Sequence, residues 1–203
     1  MRLYDFRRAP NPRRVRIYLA EKGITVPTEQ VDFGTLQQKS AAYTAINPLQ
    51  RVPVLVLDDG TVIAESIAIC RYFEALNPSP AMFGAGVLEQ AVVEMWSRRL
   101  EHNLFVPVAH VFRHLHPAMK EMEVPQVAAW GEANKAQVAA FLPILERQLE
   151  IGPFVCGPFY SVADITALVA IDFMKPAKLT VAPEHSNIAR WHAEVSRRAS
   201  AGA

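Results

Sequence analysis

The chain is poor in cysteine, has no long apolar run and carries almost no net charge. Its two cysteines, Cys70 and Cys156, are too few for a disulfide framework or a zinc site of the usual spacing. No stretch approaches the roughly 18 apolar residues that a membrane-spanning helix needs. Because 21 Lys and Arg face 20 Asp and Glu, the net charge of +1 attracts neither nucleic acid nor an anionic membrane. These absences favour a cytoplasmic protein without nucleic-acid or membrane partners.

The chain is nevertheless rich enough in apolar residues to fold. Hydrophobic residues make up 51% of its 203 positions and charged residues 20%, which excludes intrinsic disorder. This length suits one large domain or two compact ones.

Alternation and helical spacing predict a mixed α/β domain over residues 1–76. Asn11 and Pro12 fit the N-cap and first turn of its first helix, and Gly23 fits its end. The predicted elements are strands at 2–6, 26–32, 51–57 and 61–64, helices at 13–22 and 65–76, and a helical turn at 37–44.

A linker over residues 77–86, which contains Asn-Pro-Ser-Pro, separates this domain from an all-helical domain over 87–203. Pro107 and Pro143 lie inside helical patterns and predict kinks. The predicted helices are at about 87–116, 124–149, 161–174 and 186–198.

Two segments of the first domain indicate a binding site. Pro53 begins a strand pattern, so the Val52–Pro53 bond is either a trans bond at an edge or a cis bond that turns the main chain of Val52 outward. Glu65 and Ser66 open a helix, where free N–H groups favour an anion and the acid accepts from an ammonium group. This pair suits an α-amino-carboxylate group, or a plain helix cap.

Two polar groups of the second domain are interpreted as structural. Ser161 and Asp164 match a capping box at the start of a buried helix, and replacing either by alanine is expected to cost about 1–2 kcal/mol. His110, His114 and His116 lack a further ligand at metal-binding spacing, so no metal site is predicted.

Taken together, these motifs resemble the cytosolic glutathione transferases. The resemblance runs from Leu3 to about Ser200 and is carried by Ala-Pro-Asn-Pro, Asn-Pro-x-x-x-Val-Pro, Asp-Asp-Gly, Glu-Ser and Ser-x-Ala-Asp. It implies a thioredoxin-like N-terminal domain, an all-α C-terminal domain and a homodimer. It also implies glutathione as co-substrate, a small apolar electrophile as second substrate, a role in detoxification and no metal.

The resemblance assigns the glutathione-binding residues one by one. Val52, before a cis Pro53, would pair its main chain with the cysteinyl part of glutathione. Glu65 and Ser66 would hold the γ-glutamyl group. Lys39 would meet the glycine carboxylate, and Arg51 would assist.

The start of the first helix departs from the family pattern. Ala9 stands where related proteins have a serine that hydrogen-bonds the glutathione thiolate. Asn11 is the remaining candidate, either as the catalytic donor to sulfur or as a plain N-cap. The helix end and the charge of Arg13 or Arg14 would add positive potential that favours the thiolate.

The residues expected to line the electrophile pocket are Phe6, Trp96, Leu100, Phe105 and Phe112, each of which also suits a core position. Two other functions stay open from sequence. The bound thiolate would equally serve a glutathione-dependent disulfide reductase or peroxidase. Without a serine, the protein would also fit a non-catalytic binder of glutathione or apolar ligands.

Overall fold

Four short strands and three helices form the first unit of the structure, a computed structural model that describes residues 1–203. This unit comprises Met1–Ala81 together with Ala199–Ala203, and the second unit comprises Met82–Arg198. The strands are β1 (Arg2–Asp5), β2 (Thr28–Gln30), β3 (Val54–Val56) and β4 (Val62–Ala64), and the helices are α1 (Pro10–Glu21), α2 (Ala41–Ile46) and α3 (Ser66–Leu76).

The strands form one sheet in the order β2-β1-β3-β4. β1 pairs in parallel with β2, with Leu3 opposite Thr28, and the other two pairings are antiparallel. A parallel β1-α1-β2 unit followed by an antiparallel hairpin and a helix is a thioredoxin-like arrangement. The prediction of an α/β first domain of this type is confirmed.

Helix α1 starts earlier than the sequence pattern indicated. Ala9 is its N-cap residue and Pro10 its first helical residue, so the interpretation of Asn11 as the N-cap is wrong. Proline suits the first turn because the N–H that it lacks would have no helical partner there. The predicted end is confirmed: Gly23 adopts a φ of +64°, and the Ile24 N–H bonds the Leu19 carbonyl, as in a Schellman motif.

The second unit is helical, as predicted. Its helices are α4 (Val87–Leu100), α5 (Val106–Leu115), α6 (Ala128–Ile151), α7 (Val162–Met174) and α8 (Ser186–Val195). A π-helical turn at Glu101–Phe105 joins α4 to α5 immediately before Pro107, which supplies no N–H to the helix. α6 continues through Pro143 without a break. No helix combines the length and the apolar character that crossing a membrane requires.

Helix α7 forms the centre of the second unit, and its first ten residues are all buried. The predicted capping box is present. The Ser161 side chain accepts from the main chain of the first turn of α7, and the Asp164 side chain accepts from the Ser161 N–H. Asp164 also accepts from the Val155 N–H and from the Trp191 indole N–H, each at 2.9 Å. The carboxylate therefore joins three segments of this unit rather than capping one helix only.

The C-terminal residues pack on the first unit and not on the helical domain to which the sequence analysis assigned them. A 3₁₀ turn at Ala199–Gly202 lies against α1. There the Ala201 carbonyl accepts from Arg13 Nη2 at 3.1 Å, and the Ser200 hydroxyl donates to Glu21. This turn holds the Arg13 side chain by a main-chain oxygen.

Candidate functional site at the starts of two helices

Helix α3 begins with unsatisfied donors. Its N-cap residue Glu65 has a φ of +70° and gives no side-chain cap. Such a φ is uncommon outside glycine and is often found at functional sites. The Glu65 carbonyl accepts from the Ile69 N–H, whereas the N–H groups of Ser66, Ile67 and Ala68 have no partner in the protein. These amides and the helix dipole favour an anion at this end.

Three polar side chains meet at the same point. The Arg14 guanidinium, 1% exposed, donates through Nη1 to the Ser66 hydroxyl oxygen at 3.2 Å. The Ser66 hydroxyl in turn donates to Asn11 Oδ1 at 3.4 Å. Ser66 is itself buried. Arg14, Ser66 and Asn11, which we call the Arg14–Ser66–Asn11 chain, thus connect the first turn of α1 to the first turn of α3.

The start of α1 offers fewer open main-chain donors than the start of α3. Pro10 and Pro12 have no N–H, and the Arg13 N–H bonds the Ala9 carbonyl at 3.3 Å. Asn11 therefore supplies both remaining donors, its main-chain N–H and its carboxamide Nδ2, and neither has a partner within the protein. The side chain is half-buried.

The loop before β3 is held by two side chains. Asn47 Nδ2 and the Tyr43 hydroxyl both donate to the Arg51 carbonyl, at 2.9 and 2.8 Å. The Leu49 N–H closes the loop on Asn47 Oδ1 at 3.1 Å. The bond between Val52 and Pro53 is cis, so the cis alternative is confirmed. Neither the N–H nor the carbonyl of Val52 is paired within the protein, which leaves both groups available to an extended ligand.

The remaining predicted binding residues are charged and exposed. Lys39 ends a 3₁₀ turn at Gln37–Lys39, and the Arg51 side chain extends into solvent next to Val52. Glu65 is exposed at the start of α3. Their roles as ligand contacts stay predictions.

The residues predicted to line the electrophile pocket lie in both units. Phe6 is half-buried in the first unit, where its ring stacks on Phe33 with centroids 4.6 Å apart, and both rings pack against a cluster that includes Val52. In the second unit Phe112 is half-buried and stacks on His116. The other three are fully buried: Trp96, Leu100 and Phe105. That degree of burial suits a core role, and their contact with substrate stays a prediction.

Neither cysteine is a candidate nucleophile. Cys70 and Cys156 are buried and unpaired with each other. Burial raises the pKa of the Cys70 thiol far above its usual range, and it raises the pKa of Cys156 to about 12. A thiol that stays protonated is a poor nucleophile. Any thiolate chemistry of this protein must therefore use the sulfur of a ligand.

Three histidines act as hydrogen-bond acceptors: His110 and His114 on α5, and His116 directly after it. His110 Nδ1 accepts from the Trp130 indole at 3.2 Å, and His114 Nδ1 accepts from the Val127 N–H at 3.1 Å. His116 Nδ1 accepts from the Ala118 N–H at 3.2 Å. The bond from the Trp130 indole uses the lone pair of His110 Nδ1, which a protonated ring lacks. These rings therefore connect α5 to the segment that leads into α6.

The environment of His110 predicts that its contribution to stability is lost in mild acid. Burial lowers the pKa of His110, and His114 and Arg113 lower it further, against the opposing effects of Asn134 and Glu123. At this residue the folded state thus binds fewer protons than the unfolded state, whose histidine titrates near pH 6.5. The contribution of His110 to the free energy of unfolding should therefore fall as the pH is lowered from about 7.5 to about 5.5, whereas burial, which raises the pKa of Asp164 to about 6, acts in the opposite direction. Denaturant titration of the wild type and of a variant without this histidine separates the two effects.

The matched variant is His110→Asn, whose Oδ1 can accept from the indole but does not titrate. The free energy of unfolding of the wild type relative to this variant should decrease as the pH is lowered over that range. An unchanged slope in this variant would show that His110 does not contribute.

Sequence reasoning did not identify every residue that forms the site. It treated Arg13 and Arg14 as equivalent cations, whereas Arg13 bonds the C-terminal turn and Arg14 bonds Ser66. It also missed the anchoring of the Arg51 carbonyl by Tyr43 and Asn47. The Asn-Pro motif marked the loop, but nothing local marked the tyrosine.

Comparisons with known proteins agree with this geometry. Residues 9–76 match the family model of the glutathione S-transferase N-terminal domain, and residues 116–199 match that of the C-terminal domain. The chain is 34% identical to glutathione S-transferase 2 of Saccharomyces cerevisiae, over 98% of this chain and 87% of the yeast protein.

Two solved structures are similar over nearly the whole chain. One is a glutathione S-transferase domain-containing protein of Marinobacter aquaeolei, with 35% identity, a TM-score of 0.95 and coverage of 98% of this chain and 99% of that chain. The other is Gtt2 of Saccharomyces cerevisiae, with 34% identity, a TM-score of 0.95 and coverage of 100% and 99%. With both family domains matched in order, the chain belongs to the glutathione S-transferase family of enzymes.

Proposed function

We propose that this protein binds glutathione on its first unit and activates the thiol for attack on a small apolar electrophile. The observation that carries the proposal is the meeting of Ser66 with Arg14 and Asn11 beside the three unpaired N–H groups of α3. A buried cation, a hydroxyl and a helix N-terminus at one point suit a carboxylate. Membership of the glutathione S-transferase family indicates that glutathione is the ligand with this carboxylate.

The γ-glutamyl group of glutathione suits the start of α3. Its carboxylate would accept from the Ser66 hydroxyl and from the open main-chain amides. Its ammonium group would donate to Glu65, which is exposed at the same helix end. In this orientation the carboxylate faces the positive end of the helix dipole and the ammonium group faces an acid. The reverse orientation would place like charges together at both points.

The other two residues of glutathione suit the loop before β3. The cysteinyl main chain would pair with the open N–H and carbonyl of Val52, in the way that an added strand pairs with a sheet edge. The glycine carboxylate would then lie toward Lys39 and Arg51, which are exposed basic residues. Because their charges are in solvent, we expect these two residues to contribute less than Ser66.

The thiol would lie near the start of α1, where Asn11 is the donor. A thiolate accepts hydrogen bonds better than a thiol does, so a donor at this position lowers the pKa of the bound thiol. One neutral hydrogen bond supplies about 1 kcal/mol, which is less than one pKa unit. The helix dipole and the buried charge of Arg14 would add to it.

The electrophile would be apolar. Phe6 in the first unit and Phe112 in the second are half-buried rings, and each by itself suits an apolar ligand. Trp96, Leu100 and Phe105 would support the second ring from the core of its unit. Disulfide reduction or peroxide reduction is the main alternative. It would use the same bound thiolate, because the protein offers no reactive thiol of its own.

The deciding experiment measures the rates of two reactions with each of two proteins. Conjugation of a chloronitrobenzene and reduction of hydroxyethyl disulfide would be measured for the wild type and for Asn11→Ala. We expect conjugation to dominate, and we expect Asn11→Ala to lower its kcat/KM by about 5-fold, the equivalent of one hydrogen bond. Asn77→Ala, an exposed asparagine at the end of α3, serves as the control.

The other possible outcomes distinguish the alternative functions. Dominant disulfide reduction would support the reductase. Tight glutathione binding with neither activity would support a non-catalytic binder. Equal rates in the wild type and in Asn11→Ala would remove Asn11 from the mechanism.

We further infer a cytoplasmic homodimer. Both cysteines stay unpaired, which suits a reducing compartment. Leu76 in the first unit and Val87 and Leu88 in the second are exposed apolar residues of a kind that a second copy would cover. Sedimentation should therefore give about twice the chain mass of 22.6 kDa, and a monomer would contradict the inference.

A further inference from the structure

We propose that Arg14 is a positioning residue that directs the O–H group of Ser66, and that this O–H group turns from Asn11 Oδ1 to the γ-glutamyl carboxylate when glutathione binds. The inference rests on the proposed function and deepens it. It concerns the preference of the site for that carboxylate and the ability of the Asn11 carboxamide to rotate.

The direction of the hydrogen bonds follows from the donors. A guanidinium only donates, so the Ser66 oxygen must accept from Arg14 Nη1 at 3.2 Å. A hydroxyl has one proton, and with Arg14 on its oxygen that proton points to Asn11 Oδ1 at 3.4 Å. The second bond is longer than an ordinary O–H···O bond of about 2.7–2.8 Å and is therefore weak.

A weak acceptor is easily replaced by a stronger one. A carboxylate carries a full negative charge, and its hydrogen bonds are roughly twice as strong as those between neutral groups. When the γ-glutamyl carboxylate reaches the start of α3, the Ser66 proton turns to it and the Asn11 carbonyl loses its partner. The carboxamide is then free to rotate and direct Nδ2 to the sulfur.

Arg14 is suited to this task because its guanidinium is buried against Ser66. Its guanidinium is buried at 1% exposure, whereas the neighbouring Arg13 bonds the carbonyl of Ala201 on the C-terminal turn. Without Arg14 the Ser66 hydroxyl would be free to rotate and would offer its oxygen as often as its proton. The site would then lose its preference for an acceptor.

The test uses two ligands, glutathione and the analogue in which 4-aminobutyrate replaces the γ-glutamyl residue and removes its α-carboxylate. Calorimetry would give Kd for each ligand on the wild type, Arg14→Lys, Arg14→Met and the control Arg13→Met. The wild type should bind glutathione at least about 10-fold more tightly than the analogue, as expected for a hydrogen bond to a charged group.

Arg14→Met should bring the two Kd values to within about 3-fold of each other by weakening glutathione alone, and Arg14→Lys should restore part of the difference. Arg13→Met should keep the wild-type ratio. A merely structural role of Arg14 would weaken both ligands equally and leave the ratio unchanged, which would overturn the proposal.

A second readout needs no change at Arg14. The Asn11 side-chain amide resonance of the wild type should shift with glutathione and stay in place with the analogue, and equal shifts would overturn the proposal. If neither ligand bound the wild type, the proposed function itself would fail. If the wild type discriminated and Arg14→Met and Arg14→Lys kept the full ratio, only the role of Arg14 would fail.

Discussion

Replacing Asp164 by alanine should lower the free energy of unfolding by about 4 kcal/mol or more. The carboxylate accepts from the N–H groups of Val155 and Ser161, from the Ser161 hydroxyl and from the Trp191 indole, at 2.9–3.1 Å. It is fully buried, so water cannot replace it. Each buried donor left without a partner costs about 1–3 kcal/mol.

The value expected from the sequence, about 1–2 kcal/mol, treats Asp164 as a helix cap alone. The two contacts outside the capping box, to Val155 and Trp191, account for the larger expectation. Denaturant titration followed by tryptophan fluorescence and by circular dichroism would measure the change.

Asp172→Ala is the matched control, because it removes the same residue type from the same helix. Asp172 is half-buried and bonds His192 across to α8 at 2.7 Å. Its loss should cost about 1 kcal/mol or less. If the two variants were equally stable, the bonds of Asp164 would not have the role assigned to them.

Replacing Ser66 by alanine should raise the Kd for glutathione by about 10- to 100-fold. The change removes the only side-chain hydroxyl at the start of α3 and leaves the Arg14 guanidinium without its acceptor at Ser66. A hydrogen bond to a charged group is worth about 1.5–3 kcal/mol, which corresponds to this range. Retention on immobilised glutathione and calorimetry in solution would both report it.

Ser97→Ala provides a control with the same burial. Ser97 and Ser66 are each 3% exposed, but the Ser97 hydroxyl on α4 has no hydrogen-bond partner. Ser97→Ala should therefore keep the Kd for glutathione near that of the wild type. Unchanged binding in Ser66→Ala would place the ligand elsewhere and contradict the proposed function.

The amino-acid sequence determined the elements of this protein because their causes are local. Alternation marked the strands, Gly23 marked the end of α1, and Ser161 with Asp164 marked the start of α7. The family motifs, among them Val52-Pro53 and Glu65-Ser66, identified the transferase architecture. Local patterns also explain why the start of α1 was placed too late, since Asn11 is a better N-cap by residue type than Ala9, which has that position.

Tertiary structure decided how the polar groups are used. Arg13 and Arg14 are adjacent in sequence and identical in type. Only the packing of α1 makes Arg13 donate to the Ala201 carbonyl and Arg14 donate to Ser66. The reach of Asp164 to Trp191 spans 27 positions, and that of Ser66 to Asn11 spans 55. Periodicity and capping rules extend over a few residues, so contacts between groups this far apart exist only once the elements have packed.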